Sequence, residues 1–592
     1  MNRSEVDIKD TWNLEDMFES DEQWEADFEK ANKLIEKYSD YVGKVSKDED
    51  KLLEFLEFND EVGMLVERLY VYANQKYHQD MGVAKYQGDS GKAQKLATMM
   101  GSAASFFEPE LLEMDSDMLE QWISKTKFDN YRRYISEVVR QKKHTLDKNT
   151  EELLAKSHQM AQAAKNIYTM YNGADIVFPT VKDGEGNDVK LTHGNFVTNL
   201  MSADRVLRRN AFESVYKKYG EMINTIAAMF NANVEQSVFY ADVRKYESSR
   251  AMCLDAGNIP ESVYDNLIEA VHDNIDLMHR YVRLRKKALG IEELHMYDVY
   301  TPIVPTPDVK ISFEEAKQMV LDGVEPMGED YLKHMKEGFD NRWIDVYENK
   351  GKKSGAYSWG AYGTHPYVLL NYQGTLDSVF TLAHEMGHAL HSYYSDSNQT
   401  YINAGYRIFV AEVASICNES LLIHHLLKNT NDKKERAYLI NHFLEQFKGT
   451  LYRQTMFAEF EKITHQKVEE GETLTSKMLC DIYLDLNKYY FGEDMFSDCE
   501  IAMEWARIPH FYTPFYVYQY ATGISAAIAL SKKIMERGQE GVDDYMKFLT
   551  GGCSKDPIDL LKLAGVDMTK KEPVLEALGL FKELLDEMEE LI

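Results

Sequence analysis

Within Leu382-Ala-His-Glu-Met-Gly-His-Ala-Leu390, His384 and His388 stand four residues apart and Glu385 follows the first of them. Side chains four apart on an α-helix leave from one face, one turn above the other. Two imidazoles at that spacing can share a divalent metal ion, and Glu385 points toward the same place as a proton carrier. The chemistry such a set performs is hydrolysis of an amide bond by a metal-activated water. A bare string of this kind arises about 0.05 times by chance in a chain of this length and histidine content.

The flanking residues say what must hold these groups. Leu376, Val379, Phe380, Ala383, Gly387 and Leu390 form an apolar stripe at helical spacing, and Thr375 or Asp377 can cap its start after Gly374. The pattern predicts a helix over 376–394 with one side packed. A catalytic zinc needs a third protein ligand and keeps a fourth position open. His391 lies almost two turns from His384 on a continuous helix, too far to share its metal. The longer motif that closes with a third histidine needs Gly where this chain has His391 and His where it has Tyr394. The ligand must therefore come from another element. Tyr406 to Leu422 reads as a largely buried helix with two carboxylates, Glu412 and Glu419, on roughly one face. Glu412 sits among Val410, Ala411, Val413 and Ala414, where a lone carboxylate is costly unless paired or metal-bound. Glu412 is the first candidate ligand. Glu419 is the second, or else the partner that orients a ligating histidine.

Two further segments bear on a hydrolase. Five glycines between Gly351 and Gly374 flank the strand-like run Tyr367-Val-Leu-Leu-Asn-Tyr372. As an edge strand near the metal, that run could pair with a peptide backbone. No phosphate-binding glycine motif occurs there. From His510 to Tyr520, six aromatics and Pro514 form no simple amphipathic stripe. Most of these rings are expected in a core, yet Tyr hydroxyls and a histidine can also stabilise the oxyanion that amide hydrolysis creates.

Ala383-His-Glu-Met-Gly-His-Ala-Leu-His391 followed by Phe409-Val-Ala-Glu-Val-Ala-Ser415 resembles the thimet oligopeptidase-like metallopeptidases, and among them the oligoendopeptidase F group. Gly355–Gly363, His365–Asn371, Ala203–Phe212 and His510–Tyr520 resemble further family segments, so the likeness spans most of the chain. It implies a mainly α fold whose helical halves enclose a deep channel, with a small β-sheet beside the active site. It implies Glu412 as third ligand, one Zn2+ per chain, and short unstructured peptides as substrates of an endopeptidase. It also implies oxyanion donors at His510 and, with one residue inserted relative to the thimet branch, at Tyr516 and Tyr520. Tyr512 and Tyr518 are the alternatives to either tyrosine. Gly360, Tyr367 and Tyr512 are the candidate substrate contacts.

Two other functions are compatible with the motif. A related zinc carboxypeptidase would need a cation for the substrate's terminal carboxylate, and Arg507 is a candidate. A non-catalytic peptide-binding protein would have no use for Glu385.

Bulk properties narrow the setting. Acidic residues outnumber basic ones 98 to 67, a net charge of −31, which argues against nucleic acid and anionic membranes as partners. Five scattered cysteines without a Cys-x-x-Cys pair fit a reducing cytoplasm. The first ten residues lack the apolar core of an export signal, and no run of about 18 apolar residues is present. Only Pro109 and Pro179 precede residue 250, which allows long helices such as 48–75 and 92–122. A hairpin around Lys182–Asp188 suggests a boundary, giving an N-terminal helical domain over 1–195 and a catalytic domain over 196–592. Tyr297–Lys310, with Pro302, Pro305 and Pro307, reads as a connector.

Overall fold

The computed structural model describes residues 1–305 and 310–592, so Pro307 of the expected connector lies outside the described residues. The fold is mainly α with three small sheets among the described residues. Asp48 accepts from the backbone N–H groups of Asp50 and Lys51 and so caps the long helix Glu49–Gln79, which buries Leu52, Phe55, Leu56, Val62, Val66 and Leu69. The expected helix over 92–122 is instead three: Ala84–Ala104, Phe107–Glu113 and Ser116–Ile123. Pro109 falls in the first turn of the second, where its missing N–H costs nothing, and Asp115 caps the third.

The chain divides into two compact units, each assembled from three stretches. The first comprises Met1–Thr145, Val309–His425 and Leu530–Val566. The second comprises Leu146–Asp308, Leu426–Ala529 and Asp567–Ile592. This division does not follow a cut at 195. The physical reason lies in the core of the first unit, where Ala361, Tyr367 and Leu369 pack with the N-terminal helices, and the Trp12 ring meets Tyr367 edge-on at 6.4 Å.

In the first unit, Ile344–Asp345 pairs parallel with Tyr367–Leu369, which pairs antiparallel with Tyr357–Trp359. The run beginning at Tyr367 is therefore the central strand, not an edge, and it ends at Leu369. Its unbroken apolar character is what a strand covered on both faces requires. Tyr357–Trp359 is an edge strand of this three-stranded sheet, and its Trp359 carbonyl accepts from Gln75 Nε2 at 2.9 Å.

In the second unit, the hairpin Thr180–Lys182/Asp188–Lys190 forms as expected, with Gly186 in the left-handed region at its turn. The helix Arg453–Glu469 supplies much of the core through Phe457, Phe460 and Thr464, and Phe511 packs on both phenylalanines at 5.3 and 5.1 Å.

Candidate active site

Thr375 begins the metal helix Leu376–Asn398 by accepting from the Ser378 N–H. Val379, Phe380, Ala383, Gly387 and Leu390 are buried, as the stripe predicts; Leu376 at its start is half-buried, and Met386, outside the stripe, is buried as well. The second element begins later in the chain than expected and runs further. Ile408–Val410 forms a 3-10 turn, and the helix proper runs Ala411–Asn429, which sets Glu412 in its first turn, where the helix dipole favours a carboxylate. Gly387 lets the two helices meet. A Cβ at that position would lie 2.6 Å from Ser415 Cα and 2.8 Å from the Ala414 carbonyl oxygen. Asn418 locks the pair by donating to the Ala383 carbonyl at 3.2 Å while accepting from the Tyr331 hydroxyl at 2.8 Å.

This packing brings three ligand atoms together. His384 Nε2 and His388 Nε2 are 3.2 Å apart, and Glu412 Oε2 is 3.3 Å from the first and 3.5 Å from the second. Corners of a tetrahedron around a metal with bonds of about 2.0–2.1 Å stand about 3.3–3.4 Å apart. The donor set thus has the spacing and the chemistry, two imidazoles and one carboxylate, of a catalytic divalent-metal site. His384 Nδ1 faces Glu419 Oε1 at 2.6 Å. That contact turns Nε2 toward Glu412 and separates the roles that the sequence left open for the two glutamates. Burial works against a charged His384, but its bonds to Glu412 and Glu419 hold its pKa well above the ordinary histidine range. Burial likewise opposes ionisation of Glu412, and the two facing histidines overcome it, holding the carboxyl well below its usual range.

Glu385 is 7% exposed, and its Oε2 is buried with no hydrogen-bond partner among the described residues. Burial raises its pKa against the pull of His384 and His388. A buried carboxylate oxygen without a partner calls for an explanation, and its place beside the ligand set makes Glu385 the candidate proton carrier. His391 is excluded from the set. Its ring stacks on Tyr406 at 3.8 Å and 6°, it touches Phe548, and burial pushes its pKa down to about 3.

The second unit holds the aromatic candidates. His510 is exposed on the turn Pro509–Tyr512, with Tyr516 and Tyr520 half-buried beside it. The His510 ring lies 6.2 Å from each tyrosine ring, and the two tyrosines are 5.6 Å apart. Although its surface is exposed, partial desolvation of the ring lowers the His510 pKa. Tyr512 and Tyr518 do not join them. Tyr512 is buried and stacks on Tyr168 at 4.1 Å, and Tyr518 is buried against Tyr264. Tyr512 is thereby corrected from substrate contact to core ring.

Tyr367 is corrected in the same way, since its side chain is fully buried. Gly360 lies where a Cβ would meet the His365 carbonyl oxygen and Pro366 Cα at 3.2 Å, so its role is a close approach within the loop. Arg507 is committed elsewhere: it pairs with Glu504 at 2.8 Å and donates to the Tyr216 hydroxyl at 3.2 Å.

A fold built of helices with a His2Glu set and an adjacent orphan glutamate defines a metallopeptidase. Residues 199–580 match the model of peptidase family M3, and residues 110–178 match the oligopeptidase F model. The chain is 49% identical to oligopeptidase PepF of Bacillus subtilis, covering all of this chain and 88% of that one. It is 40% identical to group B oligopeptidase PepB of Streptococcus agalactiae, over all of this chain and 98% of the relative. The crystal structure of oligoendopeptidase-F from Enterococcus faecium superposes with a TM-score of 0.76 at 36% identity, covering 96% of this chain and 99% of that one. The chain belongs to peptidase family M3, among its oligoendopeptidase F-type metalloendopeptidases.

Glu461, fully buried on the helix Arg453–Glu469, escaped the sequence reading. Its only signal is a glutamate between Phe460 and an otherwise apolar helix face.

Proposed function

We propose that this metalloendopeptidase is a zinc enzyme that cuts short, unfolded peptides in a reducing cytoplasm. The observation that carries the reading is the convergence of His384 Nε2, His388 Nε2 and Glu412 Oε2 next to the unpartnered Glu385 Oε2. Two imidazoles and a carboxylate favour zinc among common divalent ions. Zinc held there supplies Lewis acidity and a nucleophilic water near neutral pH. Glu385 Oε2 accepts the proton released as water adds to the scissile carbonyl carbon. It then delivers that proton to the amide nitrogen as the C–N bond breaks. Glu419 keeps His384 Nδ1 protonated and its other nitrogen free to ligate. His510, with Tyr516 and Tyr520, donates hydrogen bonds to the carbonyl oxygen as it becomes negative. The edge strand Tyr357–Trp359 offers backbone groups to an extended peptide, which gives affinity with little sequence demand.

The cysteines Cys253, Cys417, Cys480, Cys499 and Cys553 are free thiols, in keeping with a reducing compartment. No helix among the described residues is long and apolar enough to cross a membrane. Commitment of Arg507 to Glu504 and Tyr216 weighs against a carboxypeptidase, which needs a free cation for the terminal carboxylate.

The test is a fluorescence-quenched peptide blocked at both ends. Cleavage at an internal bond, lost with a chelator and restored by zinc, is the expected result. A substrate left intact while the unblocked peptide loses C-terminal residues would establish the carboxypeptidase instead.

A further inference from the structure

Glu461 is a carboxyl in the wrong surroundings. It is fully buried in the second unit, one face of it against Phe515, and no cation pairs with it within ion-pair distance among the described residues. Its Oε1 accepts the backbone N–H of Phe515 at 3.0 Å, and its Oε2 has no hydrogen-bond partner among the described residues. Burial raises its pKa well above the ordinary glutamate value, against the opposing pull of the Phe515 N–H hydrogen bond. Packing alone would be served better by an apolar side chain of the same volume.

Phe515, the residue it holds, is also out of the ordinary. Its φ is +55°, a left-handed conformation that non-glycine residues seldom adopt and that a bulky ring adopts only when its surroundings impose it. The ring is gripped by His465 at 4.5 Å and Tyr264 at 5.7 Å, and the Tyr264 hydroxyl is itself tied to the Ala458 carbonyl on the Glu461 helix. The next residue is Tyr516. Tyr516 and Tyr520 follow this turn, and their rings stand 6.2 Å from the His510 ring and 5.6 Å from each other.

We infer that Glu461 is a positioning residue: its buried carboxyl fixes the left-handed backbone of Phe515 and, through that turn, places Tyr516 and Tyr520 beside His510. The inference rests on the reading of those three groups as oxyanion donors. Glu461 touches no reacting atom. Its effect falls on the rate of the chemical step, because donors displaced by a fraction of an ångström lose alignment with the developing charge.

The test compares Glu461→Met and Glu461→Gln in the full, zinc-loaded chain on the blocked quenched peptide. Methionine fills the same volume without an acceptor and removes a buried acid, so the fold is spared. Glutamine keeps an acceptor for the Phe515 N–H in a side chain of nearly the same shape. Expected for Met is a kcat about 10- to 100-fold lower, with KM within about threefold, metal content unchanged and Tm equal to or above that of the parent. Gln should restore kcat to within about threefold of the parent. In a Phe515→Gly background, where glycine takes the left-handed backbone unaided, adding Glu461→Met should cost much less kcat than it does beside Phe515. A folded Met variant with parental kcat would overturn the inference, as would a Gln variant as slow as Met or an equal loss in both backgrounds. His510→Ala and Tyr520→Phe keep the two readings apart. If both retain parental kcat, the oxyanion assignment falls and takes this inference with it. If both are slow and Glu461→Met is not, the inference alone falls.

Discussion

The metal centre and the His510–Tyr520 cluster draw on similar side chains and are built in opposite ways. In the metal centre the polar atoms approach one another within 3.5 Å and are held by two long helices that touch through Gly387. In the aromatic cluster the rings keep 5.6–6.2 Å between centroids, and a turn with one strained residue, Phe515, sets their positions. The first arrangement suits a group that must be gripped before any substrate arrives. The second leaves room for a group that appears only during the reaction. Rigidity in the one should show as metal affinity, and placement in the other as turnover.

The sharpest way to separate them is Glu412→Ala, which should abolish both bound metal and activity, read by elemental analysis and peptide cleavage. Full metal content in that variant would move the third ligand elsewhere. His510→Ala should leave the metal in place and lower kcat about 10²- to 10³-fold, the cost of one oxyanion donor. Loss of metal from it would show that the cluster helps to hold the metal. Glu419→Gln should weaken metal affinity about 10- to 100-fold, since it disturbs the orientation of His384 without removing a ligand. A competition titration with a metal chelator measures this.

The smallest effect concerns His391, which shares the metal helix but none of its chemistry. Its folded pKa of about 3 lies below an unfolded value of about 6.5. Between those values the unfolded chain binds a proton that the folded chain refuses, so stability falls as pH drops from about 6.5 toward 3. The slope contributed is at most about 1.4 kcal/mol per pH unit. His391→Phe, which keeps a ring against Tyr406, should flatten that part of the acid limb in denaturant midpoints taken between pH 6.5 and 4.5. An unchanged slope would show that His391 is not a buried neutral ring.

The same contrast explains what the sequence could reveal. His384, Glu385 and His388 are legible because helical periodicity converts spacing directly into geometry. Glu412 is legible because its apolar neighbours make an unpaired carboxylate implausible there. The separation of Glu412 from Glu419 is not, since both share a face and only the docking at Gly387 decides which carboxylate meets Nε2 and which meets Nδ1. Tyr367 misled because a strand between glycines suggests an edge, whereas its strand is paired on one side by Ile344–Asp345, outside the glycine-rich stretch, and on the other by Tyr357–Trp359 within it. In the run from His510 to Tyr520, composition could not tell the buried Tyr512 and Tyr518 from the more exposed Tyr516 and Tyr520. The turn at Phe515 breaks the periodicity that would have sorted them. Glu461 is silent in sequence for a related reason, because its partner is a backbone N–H fifty-four residues away.

The central claim is that Glu385 moves the proton and does not hold the metal. Glu385→Gln keeps the shape of the side chain and removes its basicity. The variant should bind metal to the same stoichiometry and the blocked peptide with similar affinity, while kcat falls about 10²- to 10⁴-fold. Near-parental kcat with metal bound would contradict the account.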